Sequence, residues 1–185
     1  MVKLDRIVTR GGDGGETSLA DGSRLRKDQP RIQCLGGLDE TNTAIGLLRV
    51  VCADLPEIDR LLARIQNDLF DLGADLATPG TERRGSALTE DYLIKLDEAA
   101  VSLNATIAPL RRFILPGGTE AAARAHLARA TARRAERDLV ALSAVETISP
   151  VLIPYMNRVS DVMFILARRL NDNGKADTVW VPGGG

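Results

Sequence analysis

The stretch IDRLLARIQNDLFDLGADL, residues 58–76, decides the fold class. Its apolar residues recur at three- and four-residue intervals: Ile58, Leu61, Leu62, Ile65, Leu69, Leu72 and Leu76. An α-helix with one apolar face produces this spacing, whereas a half-buried strand alternates at every second residue. The stretch therefore predicts an amphipathic helix that packs against other helices.

The same period continues on both sides of this stretch. Upstream, from Leu38 onward, Ile45, Leu48 and Cys52 mark a helix that comes first in the chain. Three later helices are predicted from Thr89 to Pro109, from Thr119 to about Leu142, and from Pro150 or Pro154 to Leu170. Five helices with short connections and hardly any strand signal predict an all-α five-helix bundle.

Glycine and proline divide the chain around this bundle. Residues 1–37 hold seven of the 17 glycines and show no sustained period, so a loop or a short extended segment is expected there. We predict one domain over residues 1–185: a glycine-rich loop region at 1–37, the bundle at 38–171 and a non-helical tail at 172–185. The connection at Arg83–Ser86 is expected to be a solvated link rather than a site.

Composition excludes several classes of protein. The chain has 185 residues, of which 44% are hydrophobic and 26% charged, as in ordinary globular domains. The longest uncharged stretch, residues 99–110, is too short to span a bilayer, and residues 1–20 contain no apolar signal core. Cys34 and Cys52 fit reduced thiols. We therefore expect a cytoplasmic protein without a membrane partner.

Charge is segregated along a chain whose net charge is only -1. Residues 38–110 hold 13 acidic and 6 basic residues, whereas residues 111–137 hold seven arginines and two glutamates. No aromatic residue is interleaved with those arginines to stack bases, so nucleic acid is not the expected partner. His126 is the only histidine, and no Glu-x-x-His pair exists, which excludes a di-iron carboxylate bundle.

The glycine-rich segment Thr9–Ser18 is built like a phosphate cradle. It reads TRGGDGGETS, in which glycines let backbone amides converge on an anion while Thr17, Ser18 and Arg10 add donors. The spacing of a Walker loop is absent. A surface turn is the competing interpretation, and Lys27, in a charged run, is either a phosphate ligand or simply solvated.

Arginines line one face of the predicted fourth helix. At about 100° per residue, Arg129, Arg133, Glu136 and Arg137 share a stripe, and Arg134 lies to the side. Such uncompensated charge favours an anionic ligand or a neighbouring acidic subunit. The alternative is an exposed basic face that serves only solubility.

The fifth helix carries a polar stripe opposite its core positions. Asn157, Asp161, Phe164 and Arg168 follow the intervals i, i+4, i+7 and i+11, and Arg158 can pair with Asp161. Helix capping is an alternative role for Asn157 and Asp161. For His126, a satisfied histidine at a helix interface competes with a catalytic role.

These motifs together resemble a known family. They are Thr9–Ser18, Lys27-Asp28, Gly37-Leu38-Asp39-Glu40, Phe113–Gly118, Arg129 to Arg137, and Asn157-Arg158-x-Ser160-Asp161. In this order they are similar to the propanediol-utilisation, or PduO, type of ATP:cob(I)alamin adenosyltransferase, from about residue 6 to residue 170. Arg10 stands where the family commonly has Lys and keeps the charge.

The resemblance implies a homotrimer in which ATP and the corrin lie at each subunit boundary. One subunit would wrap ATP with Thr9, Arg10, Gly11, Gly12, Asp13, Gly15, Thr17, Ser18 and Lys27. The neighbouring subunit would close the nucleotide site with Arg133, Arg134, Glu136, Arg137 and Asn157. The inter-subunit and cobalamin-side residues would be Asp39, Arg129, Asp161 and Phe113, with Arg129 pairing Asp39 and Phe113 beneath the corrin.

The implied reaction moves the 5′-deoxyadenosyl group of ATP to cob(I)alamin and releases tripolyphosphate. Arg133, Glu136, Asn157 and Phe113 would be the catalytic residues, and Mg²⁺ would be carried mainly by ATP. A cobalamin reductase and a cobalamin-dependent enzyme are the implied protein partners. A non-catalytic ATP- or cobalamin-binding sensor or carrier is the alternative, and a structural trimer would leave the loop and arginine stripe unexplained. From the residues alone, Phe113 could instead plug the core.

Overall fold

The structure is a computed structural model that describes residues 7–79 and 88–184, so the Arg83–Ser86 connection lies outside the described residues. Five helices follow one another: α1 (Pro30–Val51), α2 (Pro56–Leu76), α3 (Glu90–Asn104), α4 (Glu120–Ser143) and α5 (Leu152–Leu170). A two-stranded antiparallel hairpin, β1 (Glu16–Ser18) and β2 (Arg24–Arg26), precedes them. The predicted all-α five-helix bundle is confirmed. No described helix has both the length and the apolar character needed to cross a membrane.

Helix α4 packs closely against both α1 and α5 because its inner face consists of small side chains. Five of its alanines are fully buried: Ala122, Ala125, Ala128, Ala132 and Ala135. Alanine lets helix axes approach closely, and a Cβ on Gly37 of α1 would already lie 3.3 Å from Ala135. Gln33 reaches Asp138, and Arg124 reaches the carbonyl of Leu47, so α1 and α4 run antiparallel. The arginine-bearing helix is thereby fixed along its length.

Helix α1 begins earlier than expected. It starts at Pro30, not at Leu38, so the boundary at residue 37 between loop region and bundle is wrong. Proline suits the first helical position because its fixed φ is helical and its missing N–H would have had no partner there. Gly36 and Gly37 interrupt the apolar pattern, which is why the first turns of the helix carried no periodic signal.

The fourth helix begins as its sequence predicts. Thr119 is the N-cap, and its Oγ1 accepts a hydrogen bond from the Ala122 amide at 3.1 Å. The fifth helix begins at Leu152, so Pro154 lies inside its first turn. Its N-cap residue, Val151, provides no side-chain hydrogen bond, and the start of α5 therefore relies on tertiary contacts.

Two short segments are tied to the ends of the bundle. The hairpin docks at the end of α2, where the Ala20 amide donates to the carbonyl of Ala77 at 3.0 Å. The second segment is the tail. Ile114 forms a single antiparallel bridge with Val179, so the tail lies beside the segment between α3 and α4. The predicted non-helical tail is found, and it is ordered by backbone pairing.

Candidate functional site

The glycine-rich loop is a pair of tight turns that leads into β1. The amide of Asp13 donates to the carbonyl of Arg10 at 3.2 Å, and the amide of Gly15 donates to that of Gly12 at 3.2 Å. Arg10 and Gly15 both have positive φ, 61° and 82°. Because L side chains rarely adopt this region, Arg10 is held in a costly conformation, as residues at binding sites often are.

Two cations lie against the carbonyl groups of this loop. Lys27 Nζ donates to the carbonyl of Gly12 at 2.9 Å, and Arg24 donates to that of Gly11 at 2.8 Å. A Cβ on Gly12 would lie only 3.0 Å from Lys27 Nζ, so glycine lets the ammonium approach. Both cations are exposed and available to an anion. Arg24 was missed from sequence: the alternation Arg24-Leu25-Arg26 indicates a strand, but only the hairpin register places Arg24 opposite Ser18.

The loop side chains have few partners of their own. Thr9 Oγ1 accepts a long hydrogen bond of 3.4 Å from the Gly11 amide, and Ser18 Oγ accepts one of 3.3 Å from Arg24. Asp13 is exposed and Thr17 half-buried. The predicted loop residues are therefore brought together as one cluster of amides, hydroxyls and cations.

The arginine stripe of α4 meets Asn157 of α5. Asn157 Nδ2 donates to Glu136 Oε1 at 2.9 Å, and the Arg137 guanidinium donates to the carbonyl of Arg133 at 3.0 Å. Arg133 and Arg137 are exposed. The structure thus brings these four predicted residues together. Arg134 lies to the side and is engaged in an ion pair with Glu40 of α1.

A second cluster lies on the same two helices. The Arg129 guanidinium carbon stands 5.0 Å from the centre of the Phe164 ring, and the His126 ring meets Phe164 edge-on with centroids 6.1 Å apart. Burial and the nearby Arg133 lower the pKa of Arg129. Burial also lowers the pKa of His126, whose Nε2 has no hydrogen-bond partner among the described residues. His126 therefore lies at the interface between α4 and α5, and its Nε2 makes no hydrogen bond to the described residues of its own chain.

Asp39 lies on a different side of the bundle from Arg129. Its carboxylate is exposed at the edge of a groove of about 330 Å³ between α1 and α2, which is lined mainly by apolar residues such as Leu38 and Phe70. Phe70 is 73% exposed. Among the described residues of one chain, no hydrogen bond or ion pair joins Asp39 to Arg129. Asp161, by contrast, binds Arg158 at 2.8 Å as its spacing predicts.

Phe113 is not a core residue. Its side chain is 76% exposed and meets the ring of Trp180 edge-on, with centroids 6.2 Å apart. The Trp180 amide donates to the carbonyl of Phe113 at 2.9 Å. The interpretation of Phe113 as a plug of the core is therefore wrong, because the bridge between residues 114 and 179 holds the segment on the surface. Trp180 was missed from sequence, and its being the only tryptophan was the one signal.

Arg168 does not belong to the polar stripe of α5. It is 8% exposed, pairs with the buried Asp177 at 2.8 Å and donates to the carbonyl of Ala108 at 3.0 Å. Helical spacing placed it on the stripe, but the tail folds back over this position and buries it. The stripe therefore ends at Phe164, and Arg168 ties the tail to α5.

The loop cluster and the arginine cluster stay apart within the described chain. The loop docks at the end of α2, whereas Arg133 lies midway along α4 and Asn157 lies in the second turn of α5. No hydrogen bond or ion pair between described residues connects the two clusters. The cations of both clusters, Lys27, Arg133 and Arg137, are exposed on the surface of the chain.

Comparison with known proteins identifies the family. The family described as cobalamin adenosyltransferase matches residues 7–170. A cobalamin adenosyltransferase of Cupriavidus metallidurans is 45% identical over 180 residues, 96% of this chain and 95% of that protein. A corrinoid adenosyltransferase of Bacillus subtilis is 40% identical over 169 residues, 90% of this chain and 86% of that protein.

A solved structure agrees with the sequence relatives. It is a variant PduO-type ATP:corrinoid adenosyltransferase from Lactobacillus reuteri, with one phenylalanine replaced by alanine, complexed with cobalamin and ATP. It superposes with a TM-score of 0.87 at 34% identity and covers 95% of this chain and 99% of that one. Sequence and fold thus agree over nearly the same residues, and this chain belongs to the cobalamin adenosyltransferase family as a corrinoid adenosyltransferase of the PduO type.

Proposed function

We propose that this chain transfers the 5′-deoxyadenosyl group of ATP to cob(I)alamin at sites that two neighbouring copies build together in a homotrimer. The observation that carries the shared site is the separation of the loop cluster from the arginine cluster within one chain. Each cluster has exposed cations that pair with no carboxylate among the described residues: Lys27 in the loop, and Arg133 and Arg137 on α4. Such unpaired positive charge favours an anionic ligand. A heterologous contact repeated three times brings the two clusters face to face.

The loop of one copy holds the triphosphate. Lys27 and Arg24 now lie on the carbonyls of Gly12 and Gly11, and both side chains can turn to phosphate oxygens while keeping their position on the hairpin. The amides of the loop, with Thr9, Arg10, Asp13, Gly15, Thr17 and Ser18, surround the same space. Binding at this loop is therefore directed to the nucleotide and not to the corrin.

The arginine cluster of the neighbouring copy acts on the leaving group. The cobalt(I) centre is the nucleophile: its electron pair forms the bond to C5′ of ATP, the C5′–O bond breaks, and that electron pair leaves with tripolyphosphate. Arg133 and Arg137 stabilise the charge that accumulates there, while Asn157 and Glu136 orient the nucleotide. Arg134 lies beside this cluster, where its ion pair with Glu40 of α1 holds it.

Phe113 and Asp39 serve the corrin side and the boundary between copies. An exposed aromatic ring suits the lower corrin face, where it keeps the axial base and water from cobalt(II) and makes reduction to cobalt(I) easier. Arg129 pairs with Asp39 of the next copy, and Asp161, held by Arg158, lies one helical turn from Asn157. The apolar groove beside Asp39 is covered by the same contact.

Magnesium enters with the nucleotide. Among residues 7–79 and 88–184, no group of three or more His, Cys, Asp or Glu side chains is arranged to hold a metal ion. Mg²⁺ prefers phosphate oxygens and water to a dedicated protein cage, so Mg-ATP is the substrate form. Both cysteines are buried free thiols, which suits a reducing cytoplasm. There a cobalamin reductase supplies cobalt(I) and a cobalamin-dependent enzyme takes the product.

Two measurements test this function. Chemically reduced cobalamin with Mg-ATP should lose its cobalt(I) absorbance in the presence of the protein, whereas a sensor or carrier would bind both ligands without that loss. Co-expression of Lys27→Ala with Arg133→Ala tests the shared site. Every mixed trimer pairs an intact loop with an intact arginine cluster at one of its three boundaries, so random mixing leaves about a quarter of all boundaries intact. Restored activity is expected there, and activity no greater than that of each variant alone would contradict the shared site.

A further inference from the structure

A tyrosine and an aspartate form a buried polar pair in the core, away from the substrate-facing residues. Tyr155 of α5 is fully buried, and Asp68 of α2 is 8% exposed. The Tyr155 hydroxyl donates to Asp68 Oδ2 at 2.7 Å. Burial raises the pKa of both groups. Two apolar side chains of similar volume would fill this space without the loss of solvation, so packing alone does not account for the pair.

Tyr155 lies two residues before Asn157 on α5, while its partner Asp68 is on α2. The start of α5 has weak local support, since Val151 supplies no side-chain cap. The neighbouring anchor, Arg158 with Asp97 of α3, is partly exposed and therefore a weaker constraint. The buried hydrogen bond is thus the strongest polar contact that fixes this turn.

The position of Asn157 is sensitive to small rotations of α5. Its side chain reaches about 6 Å from the helix axis, so a rotation of about 20° moves its tip by about 2 Å. That displacement is enough to break the 2.9 Å hydrogen bond from Asn157 to Glu136. A directional hydrogen bond on the opposite side of the helix resists this rotation, whereas apolar contacts tolerate it.

We propose that Tyr155 and Asp68 are positioning residues for the adenosyl transfer: their buried hydrogen bond fixes the rotation of α5 that presents Asn157 to Glu136 and the nucleotide. The inference rests on the proposed function, because it assumes that Asn157 contacts ATP. Neither residue of the pair touches a substrate. Their effect reaches the reaction only through Asn157.

The test is a double-mutant cycle read out in the Michaelis constant for ATP. Tyr155→Phe keeps the ring and removes the hydroxyl, and we expect it to raise KM for ATP about fivefold with KM for cobalamin unchanged. In an Asn157→Ala background the same change should have no further effect. Assays are run well below the melting temperature of every variant, so that all of them are folded.

Matched variants separate positioning from stability. Tyr92→Phe removes the same chemical group from a second tyrosine–aspartate pair, Tyr92 with Asp71 at 3.2 Å between α3 and α2, and should leave KM for ATP unchanged. Asp68→Asn keeps an oxygen that accepts the Tyr155 hydroxyl and should retain KM, whereas Asp68→Ala should not. This second comparison decides the matter if Tyr155→Phe does not fold.

Each outcome bears on one of the two proposals. A Tyr155→Phe protein with a lower melting temperature but unchanged KM and kcat would show that the pair is only structural. Additive effects in the Asn157→Ala background would likewise overturn the positioning role. An Asn157→Ala enzyme with normal kinetics would overturn the assignment of Asn157 to the nucleotide site, and the positioning role with it.

Discussion

Replacing Phe113 with alanine tests whether this ring serves the corrin or the fold. With 76% of the side chain exposed, about a quarter of roughly 200 Å², or about 50 Å², is removed from water. At about 25 cal/mol/Å² this burial is worth about 1 kcal/mol, and the edge-on contact with Trp180 adds about 1 kcal/mol. The variant should therefore lose about 2 kcal/mol at most, which lowers the melting temperature by a few degrees.

The functional effect should be larger than the structural one. If Phe113 excludes the lower axial ligand, the variant binds cobalamin but keeps the spectrum of five-coordinate cobalt(II) when ATP is present, and turnover slows when reduction of cobalt(II) is demanding. Absorption and electron paramagnetic resonance report the coordination, and thermal melts report stability.

A core variant provides the scale for this comparison. Leu139 is fully buried, so Leu139→Ala should cost about 2–5 kcal/mol without changing cobalt coordination. A Phe113→Ala protein that melts as low as Leu139→Ala and still forms four-coordinate cobalt(II) would refute the exposed, corrin-facing role. A thermally normal variant that forms four-coordinate cobalt(II) would refute the catalytic role alone.

Four further outcomes are expected from the site. Lys27→Ala should raise KM for ATP more than KM for cobalamin in steady-state assays. If both Michaelis constants stayed at their wild-type values, ATP binding at the loop would be contradicted. Arg129→Ala should weaken the trimer in sedimentation, whereas a monomeric wild type would contradict the shared site altogether. Arg133→Ala should lower turnover at saturating ATP, because charge on the leaving group develops in the transition state. Burial lowers the pKa of His126 below its ordinary 6.5, so stability is full above about that pH and falls as pH drops below it. The single histidine resonance in proton NMR should titrate below pH 6.5, and His126→Leu should flatten the dependence of melting temperature on pH.

The helices could be predicted because their signals are local. Apolar spacing identified the buried face of α2, and Thr119 with Glu120 marked the start of α4, where the cap is found. The start of α1 was missed, since Gly37 is placed there for close contact with Ala135 of α4. Gly36 beside it has no such contact, and neither glycine continues an apolar pattern within α1. A glycine chosen for a distant neighbour cannot be distinguished locally from a glycine in a loop.

For the site residues, the sequence could predict which helix face carries each side chain, but not which other side chain it pairs with. Periodicity predicted which helix faces carry Arg133, Arg137 and Asn157, and the structure brings these residues together. It could not show that Arg134 pairs with Glu40 or that Arg168 turns inward to Asp177, because both pairings depend on how separate segments fold against each other. Exposure of Phe113 likewise depends on the tail, which lies beyond the matched residues 7–170.

The charge segregation of the chain is explained if some charges pair within one chain and the others pair with ATP or with a neighbouring copy. Part of the excess is neutralised within one chain, as Arg134 with Glu40 shows. Among the described residues, the Arg129, Arg133 and Arg137 side chains contact no carboxylate at hydrogen-bonding distance in their own chain, and Asp39 contacts no cation. A lone chain would gain little from leaving these charges unpaired on opposite sides, because exposed like charges repel. In the proposed trimer, a triphosphate opposite Arg133 and Arg137 and Asp39 of a neighbour opposite Arg129 would satisfy both sets at once, so that ATP binding and assembly would depend on the same surface.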